Sequence, residues 1–354
     1  MAKNSNLHNA KSAKNDEFYT QYNDIAKEIS AYGIEPFEGK VVLCNCDDPI
    51  ESNFTKYFIL NFRRLKLKRL ICTFYDVVNY KRAYAFTYDG QDLNGDGVIN
   101  GKDIEIISQM KAYRHALMDD YGFDPEDAEK CNKRGIYGSG DFRSQHCIEY
   151  LKQADIVVTN PPFSLFREYV AQLMEYGKKF IIVGNMNAIT YKEIFPDIKN
   201  NKLWLGQKSL GTDFFFDVPE NYVEELKATK TEGGGWRIID NKVMGRVANA
   251  CWFTNVEHKK RHTPIDLYKI YSNESYPHYD NYDAIEVSKV TNIPMDYDGV
   301  MGVPITFLDK YCPEQFEIIG HEHDLLGNGG DVHINQFEIN GKGTYKRILI
   351  KRIS

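Results

Sequence analysis

Four mainly apolar, strand-like runs constrain the fold of this chain more than any other feature of its sequence. They cover residues 41–46, 70–75, 156–159 and 180–183. Apolar residues in a continuous run, rather than at alternate positions, are typical of strands buried on both faces of a parallel sheet. Apolar residues at spacings of three and four predict helices between these strands, at residues 53–65, 147–153 and 165–176. This order of strands and helices predicts an α/β fold with a parallel, doubly wound sheet.

The net charge of the chain has the wrong sign for a simple nucleic-acid binder. The 354 residues include 44 Lys and Arg against 50 Asp and Glu, a net charge of −6, whereas binding to a phosphate backbone relies on basic groups. The acidic excess is local, because residues 89–130 carry 11 acidic and 4 basic side chains and residues 266–354 carry 14 and 8. A nucleic-acid partner is therefore not excluded for the rest of the chain.

The apolar runs and the cysteines indicate the cellular location of the protein. No apolar run approaches the roughly 20 residues that a membrane helix needs, and the first residues lack the apolar stretch of a secretion signal. The seven cysteines form no CxxC pair, which disfavours both a disulfide framework and a zinc ribbon. These features predict a soluble, cytoplasmic protein whose cysteines are mostly reduced.

Polar residues follow the predicted strands, and one further acidic residue lies near the third strand position. Asp47 and Asp48 follow the first strand, Asp76 follows the second, and Asn160 follows the run at 156–159, while Asp141 lies a short distance before that run. Ligands of doubly wound sheets bind outside the carboxyl ends of the strands. These residues are therefore the first candidates for a binding or catalytic site.

The loop Asn160-Pro161-Pro162-Phe163 is the most informative segment of the chain. Two consecutive prolines fix the backbone angles and remove two amide donors, so the loop exposes carbonyl acceptors rigidly beyond a buried strand. The Asn160 side-chain oxygen and the Pro161 carbonyl could together accept both protons of an exocyclic amine, while Phe163 offers a ring face for stacking. This arrangement suits a purine amine. The alternative is a strand-terminating turn that contains two prolines.

Four segments together resemble a known family. They are NDEFYTQ at 15–21, GDFRS at 140–144, NPPFSLFREYV at 160–170 and PITFLDKY at 304–311. In combination they are similar to the EcoRI-type adenine-specific DNA methyltransferases over most of the chain. The resemblance implies a Rossmann-like, S-adenosylmethionine-dependent methyltransferase sheet with a smaller C-terminal target-recognition region.

The resemblance assigns catalytic roles to the loop residues. Asn160 and the Pro161 carbonyl would hold the N6 amino group of a flipped-out adenine, Phe163 would stack on its ring, and Pro162 would keep the loop stiff. The amine would attack the sulfonium methyl in line, without a covalent enzyme intermediate.

The resemblance also implies a cofactor site for S-adenosylmethionine. Asp76 would hold the ribose hydroxyls, Asp141 and Phe142 would face the cofactor adenine, and Tyr19 and Thr20 would close over its methionine part.

The segment after the first strand departs from the pattern of most methyltransferases. It begins Cys46-Asp47-Asp48 where a glycine-rich loop is usual, so the backbone lacks the freedom that glycine gives for close approach to a cofactor. Either Asp47 or Asp48 could bind the methionine amine of the cofactor instead, and the sequence does not decide between them. Cys46 belongs to the same expected cofactor site.

The acidic insertion at 89–130 contains a loop that matches the calcium-binding EF-hand template. Residues 92–103 also resemble one repeat of the dockerin modules, in which a calcium loop precedes a helix, here expected at 104–113. The alternative is a surface turn in which Asp, Asn and Gly serve the backbone conformation. The candidate ligands of a structural calcium ion are Asp92, Asn94, Asp96, Val98 and Asp103.

The length of the chain bears on the target. After Phe163 there remain 191 residues, which exceeds what a minimal sheet requires. We expect a catalytic domain at 1–265 and a target-recognition region at 266–354, although residues 205–262 could finish the sheet or already face DNA. Candidates for phosphate or base contacts include Trp252, His258, Lys259, Lys260, Arg261 and His262.

The expected substrate is double-stranded DNA and the expected cofactor is S-adenosylmethionine. We expect a monomer, with any cognate restriction endonuclease on a separate chain. Two alternative functions remain at this point. One is a methyltransferase of RNA or of protein glutamine, because related Asn-Pro-Pro-aromatic loops serve both. The other is a DNA-binding module with an inactive methyltransferase core.

Overall fold

The chain forms two compact units in a computed structural model. The first comprises residues 1–188 and 211–256, and the second comprises 189–210 and 257–354. The structure describes residues 19–46, 50–76, 82–109, 118–120, 140–218, 222–247, 249–327 and 336–353. Strands and helices are numbered below along the whole chain.

A sheet with a parallel centre organises the first unit. Seven of its strands pair in the order β5-β4-β3-β2-β6-β7-β12. Strands β2, β3, β6 and β7 run parallel, and β4, β5 and β12 pair antiparallel at the two sides. The bounds are β2 Val41–Asn45, β3 Arg69–Asp76, β4 Arg82–Tyr88, β5 Met118–Asp120, β6 Ile156–Thr159, β7 Lys179–Asn185 and β12 Ala250–Thr254.

The four central strands are those that the apolar runs predict. All residues of β2 and β6 are buried, as expected for strands covered on both faces. The α/β fold class is therefore confirmed. The antiparallel strands at the two sides make the sheet mixed, which the continuous apolar runs alone did not indicate.

Helices of the first unit connect these strands and cover the sheet. Their bounds are α1 Tyr22–Ser30, α2 Asn53–Leu60, α3 Gly101–Gln109, α4 Gln145–Gln153, α5 Phe166–Glu175 and α7 Val223–Thr229. Two of them have a serine cap that satisfies a free amide of the first turn. Ser52 accepts from Phe54 N–H at the start of α2, and Ser144 accepts from Cys147 N–H at the start of α4.

Strand β12 completes the large sheet. It pairs along its whole length with β7, from Ala250 opposite Asn185 to Thr254 opposite Ile181. Trp252, in the middle of this strand, is fully buried, and its ring meets Phe54 of α2 edge-on at 6.1 Å between centroids. Of the two alternatives left open for residues 205–262, the segment 250–254 thus belongs to the sheet.

A second, antiparallel sheet completes the first unit. Its order is β1-β9-β11-β10. The short strand β1 pairs with β9 with Tyr19 opposite Asp217, so the N-terminal motif is anchored by residues about 200 positions later. The bounds are β1 Tyr19–Thr20, β9 Phe214–Asp217, β10 Trp236–Ile239 and β11 Lys242–Val247.

The second unit has a small mixed sheet of its own, in the order β13-β14-β18-β15. Glu286 on β13 and Arg347 on β18 form an ion pair of 2.6 Å between Nη2 and Oε1, with both side chains largely buried. The bounds are β8 Trp204–Leu205, β13 Ile285–Glu286, β14 Met301–Pro304, β15 Phe316–His321, β16 Glu338–Ile339, β17 Lys342–Gly343, β18 Arg347–Arg352, α6 Phe195–Lys199 and α8 Glu322–Leu325.

Candidate active site

Strands β3, β2 and β6 end at one edge of the sheet, because neighbouring parallel strands share their direction. Asn45 is the last residue of β2, Asp76 is the last of β3, and Asn160 directly follows β6. The structure therefore places three of the predicted strand ends at the same edge of the sheet, with β3 extending three residues beyond the Asn45–Thr73 pair. This edge is where doubly wound sheets bind their ligands.

Cys46 takes the backbone conformation that a glycine would usually supply. Its φ angle is 75°, in the left-handed region that costs a non-glycine residue of order 1 kcal/mol or more. Its amide donates to the Thr73 carbonyl of β3 at 3.2 Å, which ties the bend to the neighbouring strand. Asp47 and Asp48, which follow it, lie outside the described residues.

The loop after β6 combines buried acceptors with a fixed backbone. Asn160 is only 8% exposed and Pro161 is also buried, while Pro162 and Phe163 are half-buried. The Pro162 carbonyl accepts the Leu165 amide at 3.0 Å, which closes the short 3₁₀ turn Phe163–Leu165 ahead of α5. Phe163 packs against the main apolar core.

Two buried hydroxyl groups bind the end of β2 to the elements on either side of this loop. Thr159, at the end of β6, donates its hydroxyl to the backbone carbonyl of Asn45. Tyr169, on α5, donates its hydroxyl to the side-chain oxygen of the same Asn45. Sequence reasoning missed all three residues. Thr159 could have been found because it directly precedes Asn160. Tyr169 could have been found because it places an aromatic ring with a hydroxyl group on the inner face of the predicted helix.

Asp141 and Phe142 lie in the turn that leads into α4. The Arg143 side chain donates two hydrogen bonds to the Asp141 carboxylate, from Nε to Oδ1 at 2.9 Å and from Nη2 to Oδ2 at 2.8 Å. Its remaining nitrogen, Nη1, donates to Glu168 of α5 at 2.5 Å. Oδ1 also accepts the Arg143 backbone amide at 2.9 Å, so Oδ2 is the oxygen with a second lone pair for a further donor. Phe142 is buried and meets the Tyr169 ring edge-on at 4.9 Å, so this turn is packed against the helix that follows the Asn160-Pro161-Pro162-Phe163 loop.

The N-terminal motif is held at the start of α2. The Asn53 side-chain amide donates to the Thr20 carbonyl at 2.9 Å, and the segment between Cys46 and Asn53 contains Asp47 and Asp48. The Thr20 side chain is buried, and its hydroxyl has no hydrogen-bond partner within the described part of the chain. Burying an unsatisfied hydroxyl is costly, so this group is suited to binding a polar ligand.

The loop at 92–103 folds around its own backbone amides. Asp92 accepts the amides of Gly95 and Gly97, and the buried Asp103 accepts those of Leu93 and Asn100. Hydrogen bonds from Val98 N–H and the Asn100 side chain lower the pKa of the Asp96 carboxyl. Among the described residues, no group of three or more His, Cys, Asp or Glu side chains is placed to hold a metal ion. The structure thus does not support the calcium prediction for Asp92, Asn94, Asp96, Val98 and Asp103.

Several residues expected to contact DNA are buried, and the expectation is wrong for them. Trp252 is part of the sheet core. His258 is buried and bonds the Leu205 carbonyl at 2.9 Å. Arg261 is 7% exposed and lies over the Trp204 ring at 3.9 Å from its centroid. Buried side chains cannot reach a phosphate, whereas Lys259 and His262 remain exposed.

None of the helices in the described ranges is long and apolar enough to cross a membrane.

The parallel-centred α/β sheet with Asn-Pro-Pro-Phe at one strand end is consistent with an S-adenosylmethionine-dependent methyltransferase fold. The family described as adenine-specific methyltransferase EcoRI matches residues 6–353. The chain belongs to this family, which confirms the prediction of an adenine-specific DNA methyltransferase. Membership implies S-adenosylmethionine as the methyl donor and disfavours protein glutamine as the target.

Named relatives agree with this assignment. The chain is 45% identical over 360 residues to type II methyltransferase M.EcoRI of Escherichia coli, covering 99% of this chain and 97% of that protein. It is 35% identical to M.MgeORF184P of Mycoplasma genitalium and 35% identical to M.MpnI of Mycoplasma pneumoniae, in each case over 97% of both chains. No solved structure matches at a significant level.

Proposed function

We propose that this protein transfers a methyl group from S-adenosylmethionine to the N6 amino group of an adenine flipped out of double-stranded DNA. The observation that carries the proposal is the buried, conformationally fixed Asn160-Pro161 pair at the end of β6. A duplex base cannot reach a recessed loop of this kind while it is stacked, so the target must leave the helix.

Asn160 and Pro161 are proposed as the acceptors for the adenine amine. The Asn160 side-chain oxygen and the Pro161 carbonyl would each accept one amine proton, which orients the nitrogen lone pair toward the methyl donor. The hydrogen bonds from the amine to both acceptors become stronger as positive charge develops on the amine nitrogen. They therefore stabilise the transition state more than the ground state. Phe163 would stack on the base, and Pro162 would hold the turn.

The residues at the strand edge fit S-adenosylmethionine. When bound, this group supplies an electrophilic methyl on a sulfonium centre. Thr20, whose buried hydroxyl has no partner within the described residues, is proposed to bind the methionine part together with Tyr19. Cys46 and either Asp47 or Asp48 would hold the same part from the end of β2.

The remaining cofactor residues would hold the nucleoside. Asp76 is the last residue of β3, three residues beyond Thr73, which pairs with Asn45 at the end of β2. Its carboxylate would accept hydrogen bonds from the ribose hydroxyls. Asp141 and Phe142 would face the adenine of the cofactor. The two hydrogen bonds from the Arg143 side chain would keep the Asp141 carboxylate oriented.

The second unit is proposed to recognise the DNA target. It contains residues 266–354, and its exposed side chains include Tyr268 and Ile270, each 62% exposed. Lys269 Nζ lies 5.3 Å from the Tyr268 ring centroid, so this segment presents an aromatic ring and positive charge together. Such groups contact bases and phosphates. We also propose that the protein acts as a monomer and that any cognate endonuclease is a separate chain.

The test is to express the intact chain and Asn160→Ala in a methylation-free bacterial host and to map modified adenines in genomic DNA by single-molecule sequencing. We expect N6-methyladenine in one sequence motif with the intact chain. Removing a positioned polar group that stabilises a transition state typically costs roughly 10²- to 10³-fold in kcat, so Asn160→Ala should abolish the signal. Purified Asn160→Ala should still bind S-adenosylmethionine in a calorimetric titration, because Asn160 is assigned to the adenine.

A matched control is Asn61→Ala, the same substitution after the C-terminal end of α2, where Asn61 donates to the Tyr57 carbonyl at 2.8 Å. This variant should retain methylation. The absence of modified adenine from a folded intact chain that binds S-adenosylmethionine would refute the DNA proposal. Methyl transfer that disappears on RNase treatment would favour an RNA substrate, and DNA binding without any methyl transfer would favour an inactive module.

A further inference from the structure

Three buried polar residues connect the two strand ends on which the proposed reaction depends. We call Asn45, Thr159 and Tyr169 the strand-end network. Asn45 ends β2 and is followed by the cofactor segment, whereas Thr159 ends β6 and is followed by Asn160. Asn45 accepts from Thr159 through its backbone carbonyl and from Tyr169 through its side-chain oxygen.

The network also reaches the third part of the proposed cofactor site. Phe142 meets the Tyr169 ring edge-on at 4.9 Å and an interplanar angle of 74°. Tyr169 itself lies on α5, which begins three residues after Phe163. One side chain therefore contacts the end of β2 and the Asp141-Phe142 turn, and its helix continues the catalytic loop.

Ordinary core packing does not require a hydroxyl at position 169. Tyr169 is fully buried, and a phenylalanine would fill the same space without a polar group to satisfy. Burial raises the pKa of the Tyr169 hydroxyl well above its usual value, so the group stays neutral and acts as a hydrogen-bond donor. The Tyr169 hydroxyl has a specific acceptor, the side-chain oxygen of Asn45, which immediately precedes Cys46.

We propose that Tyr169 and Thr159 are positioning residues, which together fix the cofactor end of β2 relative to the proposed catalytic loop after β6 through their hydrogen bonds to Asn45. The inference rests on the proposed function, since it concerns the alignment of the methyl donor with the adenine amine. In-line transfer is sensitive to small displacements, and a misplacement of about 1 Å can cost roughly 10²-fold in rate. Loss of either hydroxyl should therefore reduce turnover more than it reduces binding.

The test compares Tyr169→Phe with Tyr32→Phe. Tyr32 is also a buried tyrosine of the first unit, and its hydroxyl donates to Glu28 at 2.9 Å, outside the proposed site. Each variant loses one hydroxyl from a buried hydrogen bond. Because the acceptor of Tyr32 is a buried carboxyl, Tyr32→Phe should lower the melting temperature at least as much as Tyr169→Phe. Tyr169→Phe should lower kcat at least roughly tenfold, with less than a threefold change in the Kd for S-adenosylmethionine. Tyr32→Phe should keep kcat within twofold of the intact chain.

A second pair of variants keeps the proposal testable if Tyr169→Phe does not fold. Thr159→Val removes the other hydroxyl with little change in volume, and Thr159→Ser restores it. We expect kcat to fall in Thr159→Val and most of the loss to be recovered in Thr159→Ser. Equal kcat values for Thr159→Val and Thr159→Ser, or for Tyr169→Phe and Tyr32→Phe, would overturn the proposal. An inactive intact chain, or full activity of Asn160→Ala, would instead refute the proposed function.

Discussion

Gly184→Ala should disturb both the stability and the catalysis of this protein. Gly184 lies on β7, and a Cβ atom added there would come within 2.5 Å of the Phe166 ring and 2.9 Å of the Phe253 ring. Ordinary contacts begin at 3.4 Å, so the Phe166 ring must move by about 0.9 Å. Both rings are buried, and overpacking of this kind typically costs about 1–3 kcal/mol of unfolding free energy.

The same displacement reaches the catalytic loop. Phe166 begins α5, directly after the turn Phe163–Leu165, so a shift of its ring alters the anchor of that turn. Misplacement of a reacting group by about 1 Å can lower the rate by roughly 10²-fold. We therefore expect kcat to fall by about tenfold or more in the folded variant, together with a lower melting temperature.

The assay combines urea unfolding, followed by circular dichroism, with steady-state methyl transfer from labelled cofactor to DNA. Gly101→Ala is the matched control, because a Cβ there meets open space at the first residue of α3. That control should be neutral or slightly stabilising, since alanine favours helices over glycine. Phe166→Leu makes room for the new methyl group, so the double variant should be less destabilised than the sum of the two single variants.

Two results would refute this reasoning. If Gly184→Ala were as stable and as active as Gly101→Ala, the rings around Gly184 could move aside without a loss of unfolding free energy. Additive stability changes in the double variant would mean that the methyl group and the Phe166 ring do not compete for the same space.

Two further predictions concern the second unit. Arg347→Met leaves the buried Glu286 carboxylate without its 2.6 Å ion pair. The unfolding free energy measured in urea should therefore fall by about 3–5 kcal/mol. A loss below about 1 kcal/mol would contradict this prediction. Hydrogen bonds to Glu257 and Glu314 raise the pKa of His262 above its usual 6.5, so its contribution to stability is complete below pH 6.5 and is lost as the pH rises through the folded-state value. The melting temperature of His262→Gln should therefore lie furthest below that of the intact chain near pH 6 and approach it at alkaline pH, whereas a gap independent of pH would exclude the titration.

The central strands could be predicted because burial on both faces leaves a local signature. The run at 156–159 corresponds to β6 residue for residue, and the other three runs differ from β2, β3 and β7 by one to three residues at their ends. The flanking strands β4 and β12 were harder to predict, because an antiparallel partner requires no particular apolar pattern. Trp252 shows the same difficulty, since an aromatic residue in a short apolar segment such as 250–253 does not indicate whether it packs in a core or faces a partner.

The candidate site was only partly accessible from the sequence. Asn160 and its prolines stand out because the amino acids themselves restrict the backbone and supply the acceptors. Asn45 and Tyr169, by contrast, are 124 positions apart, and nothing in either segment shows that they meet. The conformation of Cys46 was equally inaccessible, because its positive φ occurs where its amide bonds a residue of the neighbouring strand, 27 positions later in the chain.

The sequence by itself determined the α/β class and the family, and it pointed to Asn160-Pro161-Pro162-Phe163 as the proposed catalytic loop, because each depends on residue types within short segments. Tertiary structure decided which polar groups share one edge of the sheet, which basic and aromatic residues are buried, and which hydroxyls connect β2 to β6. The physical reason is that these features depend on hydrogen bonds and packing between residues distant in the chain, which exist only once the strands have paired.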